Sequence, residues 1–134
     1  LHDALPISFD LLKLTDITAV HGRAEEYAKN KAYRESFDLC VSRAVSNLAT
    51  LSEYCLPYVK VGGSFISYKS GTVQEEAEQA EKAVKILGGK IRDVVYFSLP
   101  DSEIQRSLVV IEKVKSTPGK YPRKAGTPLK EPLV

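Results

Sequence analysis

The sequence contains no methionine, no tryptophan and only two cysteines among its 134 residues. Because position 1 is not methionine, we expect a fragment of a longer protein and treat residues 1–8 as a junction outside the domain. Cys40 and Cys55 lie in apolar segments without C-x-x-C spacing or neighbouring histidines, so neither a zinc site nor a redox pair is predicted. Free thiols in a reducing cytosol, and thus a cytoplasmic protein, are expected.

Long apolar runs and glycine-rich loops are absent as well. No run approaches the roughly 20 apolar residues of a membrane-spanning helix, and the first residues lack the positively charged start of a signal peptide. None of the eight glycines stands in a G-x-G pattern, so the chain has no loop of the kind that cradles a dinucleotide or a similar cofactor. With 43% hydrophobic residues, the chain is expected to form one soluble domain with a core.

Positive charge is concentrated near the C-terminus. Six basic residues and no acid occur between Lys113 and Lys130; the whole chain has a formal net charge of +2, so the remainder stands at −4. Prolines and glycines recur through residues 117–128 and disfavour a helix or a central strand, which predicts an ordered or flexible arm over residues 115–134. This C-terminal arm is suited to a polyanion such as a nucleic acid.

The first half of the chain alternates short apolar segments with polar ones. Strands are predicted at 16–21 and 37–42, with polar helix formers at 25–31 between them. Ser46 is expected to cap a helix with apolar residues at spacings of three and four, which Pro57 ends.

In the second half, Gly62 and Gly63 predict a turn before a strand at 64–68. Thr72 and Glu75 have the spacing of a capping box at the start of a helix. That helix places five apolar residues on one stripe: Val73, Ala77, Ala80, Val84 and Leu87.

Two further strands are predicted at 91–99 and 107–114, after a helix stop at Gly88 and Gly89. Too few residues separate them for a parallel crossover, so they must be antiparallel. The alternation predicts an open α/β sheet, mostly parallel with a C-terminal antiparallel hairpin. This is the outline of the Rossmann-like class I S-adenosylmethionine-dependent methyltransferases, of which residues 9–114 would form a C-terminal part.

Four groups of residues are specific enough to indicate a family. They are His21-Gly22-Arg23-Ala24-Glu25-Glu26, then Phe37-Asp38 with Ser42-Arg43-Ala44-Val45, then Glu53-Tyr54-Cys55-Leu56-Pro57 with Gly62-Gly63, and finally Tyr121-Pro122-Arg123 followed by Gly126-Thr127-Pro128. Through them the chain resembles the bacterial ribosomal RNA small subunit methyltransferase G family, also called glucose-inhibited division protein B. The last group is the most specific.

The resemblance implies methyl transfer from S-adenosylmethionine to N7 of a guanine in 16S rRNA, as naked RNA or in the small ribosomal subunit. Ala24 and Glu25 match the family's pair beside the adenosine of the cofactor, and Arg43 matches its cofactor-pocket arginine. All three are expected at the carboxyl ends of strands, where open α/β sheets bind ligands. The residues expected to contact RNA are Lys69, Lys120, Tyr121, Arg123, Lys124 and Lys130.

No catalytic side chain and no metal are expected. Guanine N7 already carries a free lone pair, so the reaction needs no general base, and His21 is not predicted to act as one. The enzyme's task would be to align acceptor and methyl group and to exclude water.

Two alternatives stay open at this point. One is a noncatalytic RNA- or ribosome-binding α/β module, and the other is a nucleotide-cofactor oxidoreductase domain, which the antiparallel ending disfavours. The family's glycine-rich cofactor loop and two of its strands have no counterpart in this sequence. We therefore expect this chain alone to be inactive or unstable.

Overall fold

A four-stranded β-sheet forms the centre of the structure, a computed structural model that describes residues 4–43 and 46–134. In chain order the strands are β1 (Phe37–Ser42), β2 (Val59–Ser70), β3 (Gly89–Ser98) and β4 (Gln105–Lys113). Across the sheet their order is β1-β2-β4-β3, so the last strand lies between β2 and β3.

The strand directions confirm the predicted architecture. β1 and β2 are parallel, whereas β4 is antiparallel to both of its neighbours. β1, β2 and β3 therefore run in one direction, and β3 and β4 form the predicted antiparallel hairpin. The fold is an α/β fold with a mixed sheet in which three of the four strands run in one direction.

Helices cover one face of this sheet. α3 (Leu48–Cys55) and α4 (Gln74–Ile86) pack on it, and the described part of the chain also contains the helices α1 (Ala4–Leu11), α2 (Ala24–Tyr27) and α5 (Thr127–Lys130). The predicted apolar stripe of α4 is confirmed, because all five of its residues are buried. Gly88, at φ 92°, ends this helix as predicted, since a left-handed residue there is easiest for glycine.

Residues of β4 show which face is covered. Ser107, Val109 and Ile111 are fully buried beneath the helices, whereas the alternating positions 106, 108, 110 and 112 are only half-buried. Because successive side chains of a strand point to opposite faces, the second face of the sheet is open to solvent. Large apolar side chains are exposed there, including Leu39, Val41 and Phe97.

The strand predicted at 16–21 is wrong. These residues have no strand partner among the described residues and form an irregular segment. Residues rich in β-formers become a strand only when a neighbouring strand completes the hydrogen-bonded ladder. Because residues 16–21 are not in the sheet, Ala24 and Glu25 do not follow the carboxyl end of a strand.

Three local predictions need smaller corrections. The cap of α3 is Asn47, not Ser46, because the Asn47 side chain accepts the backbone N–H of Thr50 at 2.9 Å. Gly62 and Gly63 do not make a turn but lie within β2, where the register against β1 shifts.

The predicted capping box at α4 is also absent. The helix begins at Gln74 with Val73 in the cap position and no side-chain cap, so Thr72 is one residue too early to pair with Glu75. Ala44 and Val45 of the Ser42–Val45 motif, and residues 1–3 of the junction, lie outside the described residues. No helix among the described residues is long and apolar enough to cross a membrane.

Candidate active site and nucleic-acid surface

A cavity of about 700 Å³ opens at the carboxyl ends of β1 and β2. Arg43, which directly follows β1, lines it together with Tyr68 and Lys69 near the end of β2. Phe97 at the end of β3 and Arg106 at the start of β4 also line this cavity. This is the edge of an open α/β sheet at which ligands bind.

Arg43 is exposed and lines this cavity directly after β1. Within residues 4–43 and 46–134 it forms no ion pair with a carboxylate. A guanidinium stays protonated and presents several N–H donors in one plane, which suits a carboxylate or a phosphate of a ligand.

Lys69 lies in the same cavity but its side chain is only 9% exposed. Its ammonium group donates to the Ser46 carbonyl at 2.6 Å and pairs with Glu76 Oε2 at 2.7 Å. The same carboxylate oxygen accepts the backbone N–H of Leu48 at 2.8 Å. Lys69 and Glu76 therefore fix Ser46 and Leu48 at the start of α3.

Ala24 does not lie near Arg43. It lines a second cavity, of about 710 Å³, together with Tyr27, Phe37 and Tyr58. Phe37 and Tyr58 lie at the amino ends of β1 and β2. The Tyr58 hydroxyl donates to the Ala24 carbonyl at 2.6 Å. The structure thus places two of the predicted cofactor residues at opposite ends of the sheet, because segment 16–21 is not a strand that would carry Ala24 to the carboxyl edge.

These surroundings change the pKa of Tyr58. Its partial burial, followed by the nearby thiols of Cys55 and Cys40 and the carboxylate of Glu25, raises the pKa of Tyr58 to about 12. The two thiols are themselves free and half-buried. A hydrogen bond with Cys55 lowers the pKa of Cys40.

Glu25, the third predicted cofactor residue, is buried. Its carboxylate accepts the backbone N–H of Gly126 at 2.9 Å. In this structure Glu25 therefore holds the C-terminal arm against α2.

A second carboxylate holds the arm more firmly. Glu53 on α3 is fully buried and accepts the Arg123 guanidinium at 2.8 Å and the Arg123 backbone N–H at 2.7 Å. Arg123 also donates to the Glu131 carbonyl at 2.6 Å. Its guanidinium therefore fixes the arm on α3, although the Arg123 side chain stays 27% exposed.

Arg34 and Glu35 fix the beginning of the arm. Arg34 donates to the carbonyls of Tyr121 at 2.8 Å and Thr117 at 3.1 Å. Glu35 accepts the Thr117 backbone N–H at 3.1 Å and pairs with Lys113 at 3.0 Å. The arm is therefore an ordered structure packed on the core. It contains the single helical turn α5, with Pro128 near its start, where proline is tolerated.

The six cations between Lys113 and Lys130 divide into two groups. Lys113 is fully buried and donates to the Leu56 carbonyl at 2.7 Å and the Val59 carbonyl at 2.8 Å, and Arg123 is held by Glu53. The remaining four are exposed: Lys115, Lys120, Lys124 and Lys130. Tyr121 is only 8% exposed, and its ring packs against the core.

A family model described as rRNA small subunit methyltransferase G matches residues 8–109. The chain belongs to this family. A methyltransferase G from Lachnoclostridium phytofermentans is 58% identical over 92% of this chain and 51% of its own length. The corresponding protein of Clostridium novyi is 54% identical over 90% of this chain and 50% of its own length. The chain thus spans about half the length of these curated relatives.

A solved structure supports the fold of this family member. It is M. jannaschii TYW2 in complex with AdoMet, with a TM-score of 0.59 at 12% identity, covering 84% of this chain and 53% of that one. At this identity the likeness concerns the fold alone. It agrees with the predicted methyltransferase sheet.

Several residues that shape the site were not predicted from the sequence. Among them, Lys113 could have been found, because it continues the inward alternation of Ser107, Val109 and Ile111 along β4. Glu53 could also have been found as a charge within an otherwise apolar helix stretch. Arg34, Glu76 and Arg106 carry no local signal, since their partners are distant in sequence.

Proposed function

We propose that this chain contributes to the active site of an S-adenosylmethionine-dependent enzyme that methylates N7 of a guanine in 16S rRNA. Family membership and the names of its relatives support this proposal. The observation that carries it is the position of Arg43, an exposed cation without an ion pair among the described residues, on the cavity at the carboxyl edge.

The residues of this cavity fit one end of the cofactor. Its volume of about 700 Å³ falls in the range of roughly 300–1,000 Å³ typical of ligand sites. Glu76 is neutralised by Lys69, so Arg43 gives its side of the cavity a positive charge that suits a carboxylate. No glycine-rich cradle occurs in the sequence, so this chain would supply a half-site.

The proposed reaction requires no acid or base from these side chains. When bound, S-adenosylmethionine supplies a methyl group on a positively charged sulfur. Arg43 would bind and orient the cofactor, and no proton transfer is asked of it, because guanine N7 already carries a free lone pair. Lys69 and Glu76 would keep the Arg43 segment in place, which is the positioning that such a reaction needs.

The RNA surface we propose is the exposed part of the C-terminal arm. Lys120, Lys124 and Lys130 are exposed, and the internal contacts of Arg123 hold them in fixed positions relative to α3. Phosphate contacts by such lysines position a nucleic acid without reading its sequence. Arg123 would act by ordering the arm, and Lys69 by ordering the cavity.

The test is transfer of a labelled methyl group by the gene product that contains this chain. Naked 16S rRNA and isolated small ribosomal subunits are incubated with radiolabelled S-adenosylmethionine, and the RNA is digested to nucleosides. Label in 7-methylguanosine is the expected result. RNA binding without any methyl transfer would overturn the proposal in favour of a noncatalytic RNA-binding module.

A further inference from the structure

Phe97 and Arg106 lie directly opposite each other on β3 and β4. Their side chains therefore share one face of the sheet, the face that the helices leave open. Phe97 is 38% exposed, and both residues line the carboxyl-edge cavity. The sequence pattern alone did not identify Phe97 or Arg106 as a candidate site residue.

Tyr68 extends this surface from the other side of β4. It is opposite Leu108, two residues beyond Arg106 and thus on the same face, and it is 45% exposed. Neighbouring strands lie about 4.8 Å apart, so two strand spacings, roughly 10 Å, separate the strands that carry the two rings. The guanidinium of Arg106 is anchored on the strand between them.

The charge of Arg106 is available to a ligand. In the described part of the chain it forms no ion pair, and its guanidinium donates to the carbonyl of the preceding residue, Gln105, at 3.0 Å. Glu76 is the one acid lining the cavity among the described residues, and Lys69 holds it. A phosphate near Arg106 would therefore meet attraction from two arginines.

Two exposed rings beside such an arginine have the chemistry of a site for a single-stranded nucleotide. A base stacks on an aromatic ring, and the arginine pairs with the phosphate. We propose that Phe97, Tyr68 and Arg106 bind the RNA nucleotide that accepts the methyl group. This inference rests on the proposed function and names the part of the cavity that takes the substrate, with Arg43 left to the cofactor.

Binding of a short, fluorescently labelled single-stranded RNA containing guanine tests the site in the gene product that contains this chain. Phe97→Leu keeps an apolar side chain but removes the ring, and Arg106→Ala removes the charge. Each variant is expected to bind about tenfold more weakly. Arg106→Ala should also reduce the slope of log affinity against log salt by about 0.7, the value for one lost phosphate contact on a single strand.

Two matched controls come from the same hairpin. Arg92, paired with Glu112 at the other end of β3, is replaced by alanine, and Tyr96, on the opposite side of the strand from Phe97, by leucine. Both should retain wild-type affinity and salt slope. Equal losses in control and test variants, unchanged binding in the test variants, or no RNA binding by the folded gene product would each overturn the inference.

The same variants in the methylating gene product separate this inference from the proposed function. Phe97→Leu and Arg106→Ala should raise the KM for RNA about tenfold with cofactor affinity unchanged. If methyl transfer occurs and both variants keep the wild-type KM, the nucleotide site is wrong and the function stands. If no methyl transfer occurs but the two variants selectively lose RNA, the function is wrong and the nucleotide site stands.

Discussion

Glu53 and Arg123, separated by 70 residues in the sequence, form the ion pair that joins the C-terminal arm to α3. The carboxylate is fully buried and accepts both the side chain and the backbone N–H of Arg123. Arg123 is thus a cation of the basic segment that holds the fold, whereas Lys120, Lys124 and Lys130 face solvent. The arm is therefore a part of the folded domain whose outer surface carries the charge.

Glu53→Ala should destabilise the protein by about 3 kcal/mol, because it leaves the Arg123 guanidinium and N–H without their buried partner. Urea unfolding measures the change. Glu131→Ala is the control: its side chain is exposed, so a change within about 0.5 kcal/mol is expected. Similar values for both variants would contradict the assigned role of Glu53.

Gly88→Ala should cost at least about 2 kcal/mol of folding free energy. Gly88 has φ 92°, and an added Cβ would lie 2.1 Å from the Lys115 carbonyl oxygen. At Gly119 an added Cβ meets nothing within 4 Å, so Gly119→Ala should leave stability nearly unchanged. Thermal unfolding of the two variants side by side checks this contrast, and a stable Gly88→Ala protein would refute the close approach of the arm to that helix end.

Stability should fall between pH 10 and pH 12, and part of this fall should belong to Tyr58. Burial raises the pKa of Tyr58 from 10.0 to about 12, so the unfolded chain loses this proton first as the pH rises. The stabilisation is fully present below pH 10 and is lost as the pH passes through the folded-state value. Tyr58→Phe should show a shallower decline in urea unfolding over this window; a parallel decline would place the cause elsewhere.

Arg43→Ala should weaken S-adenosylmethionine binding by the gene product at least about tenfold, the effect of losing one charge-assisted contact. RNA affinity should be largely kept. Isothermal titration with the cofactor measures the change, and Lys60→Ala, which removes a cation paired with Asp38 on the same two strands, is the control. Unchanged cofactor titration in Arg43→Ala would remove Arg43 from the proposed site.

Replacement of Lys120, Lys124 and Lys130 by alanine should flatten the salt dependence of RNA affinity. Each lost phosphate contact lowers the slope by about 0.7 for a single strand, so a reduction of about 2 is expected for three. The matched control replaces Lys82, Lys85 and Lys90, which are also exposed but lie on α4 and at the start of β3. Equal slopes in the two triple variants would show that RNA does not meet the arm.

Local patterns predicted the elements whose form depends on neighbours in sequence. β1, the stripe of α4 and the hairpin follow from alternation, helical spacing and a short connection, and the structure confirms them. Caps were less predictable, since which of Ser46 or Asn47 caps α3 depends on which side-chain oxygen reaches the Thr50 N–H. Moving the cap by one residue hardly changes the composition of the helix, so composition does not identify the capping residue.

The site was harder to predict because its groups meet through the fold. A basic composition in the arm does not distinguish Lys113 and Arg123, which have buried partners, from the exposed lysines. Arg43 was placed from the strand that precedes it, whereas Ala24 depended on a strand at 16–21 that has no ladder partner among the described residues. The predicted roles of Ala24, Glu25 and Tyr121 in binding stay predictions.

The position of β4 between β2 and β3 has a consequence for synthesis on the ribosome. Among the described strands β3 pairs only with β4, so β3 emerges without a hydrogen-bonding neighbour until the chain has been translated through residue 113. The nascent chain thus carries an unpaired, apolar strand during this interval, a state in which chains aggregate or recruit chaperones. Slow codons between residues 98 and 105 would lengthen that exposure, and fast ones would shorten it.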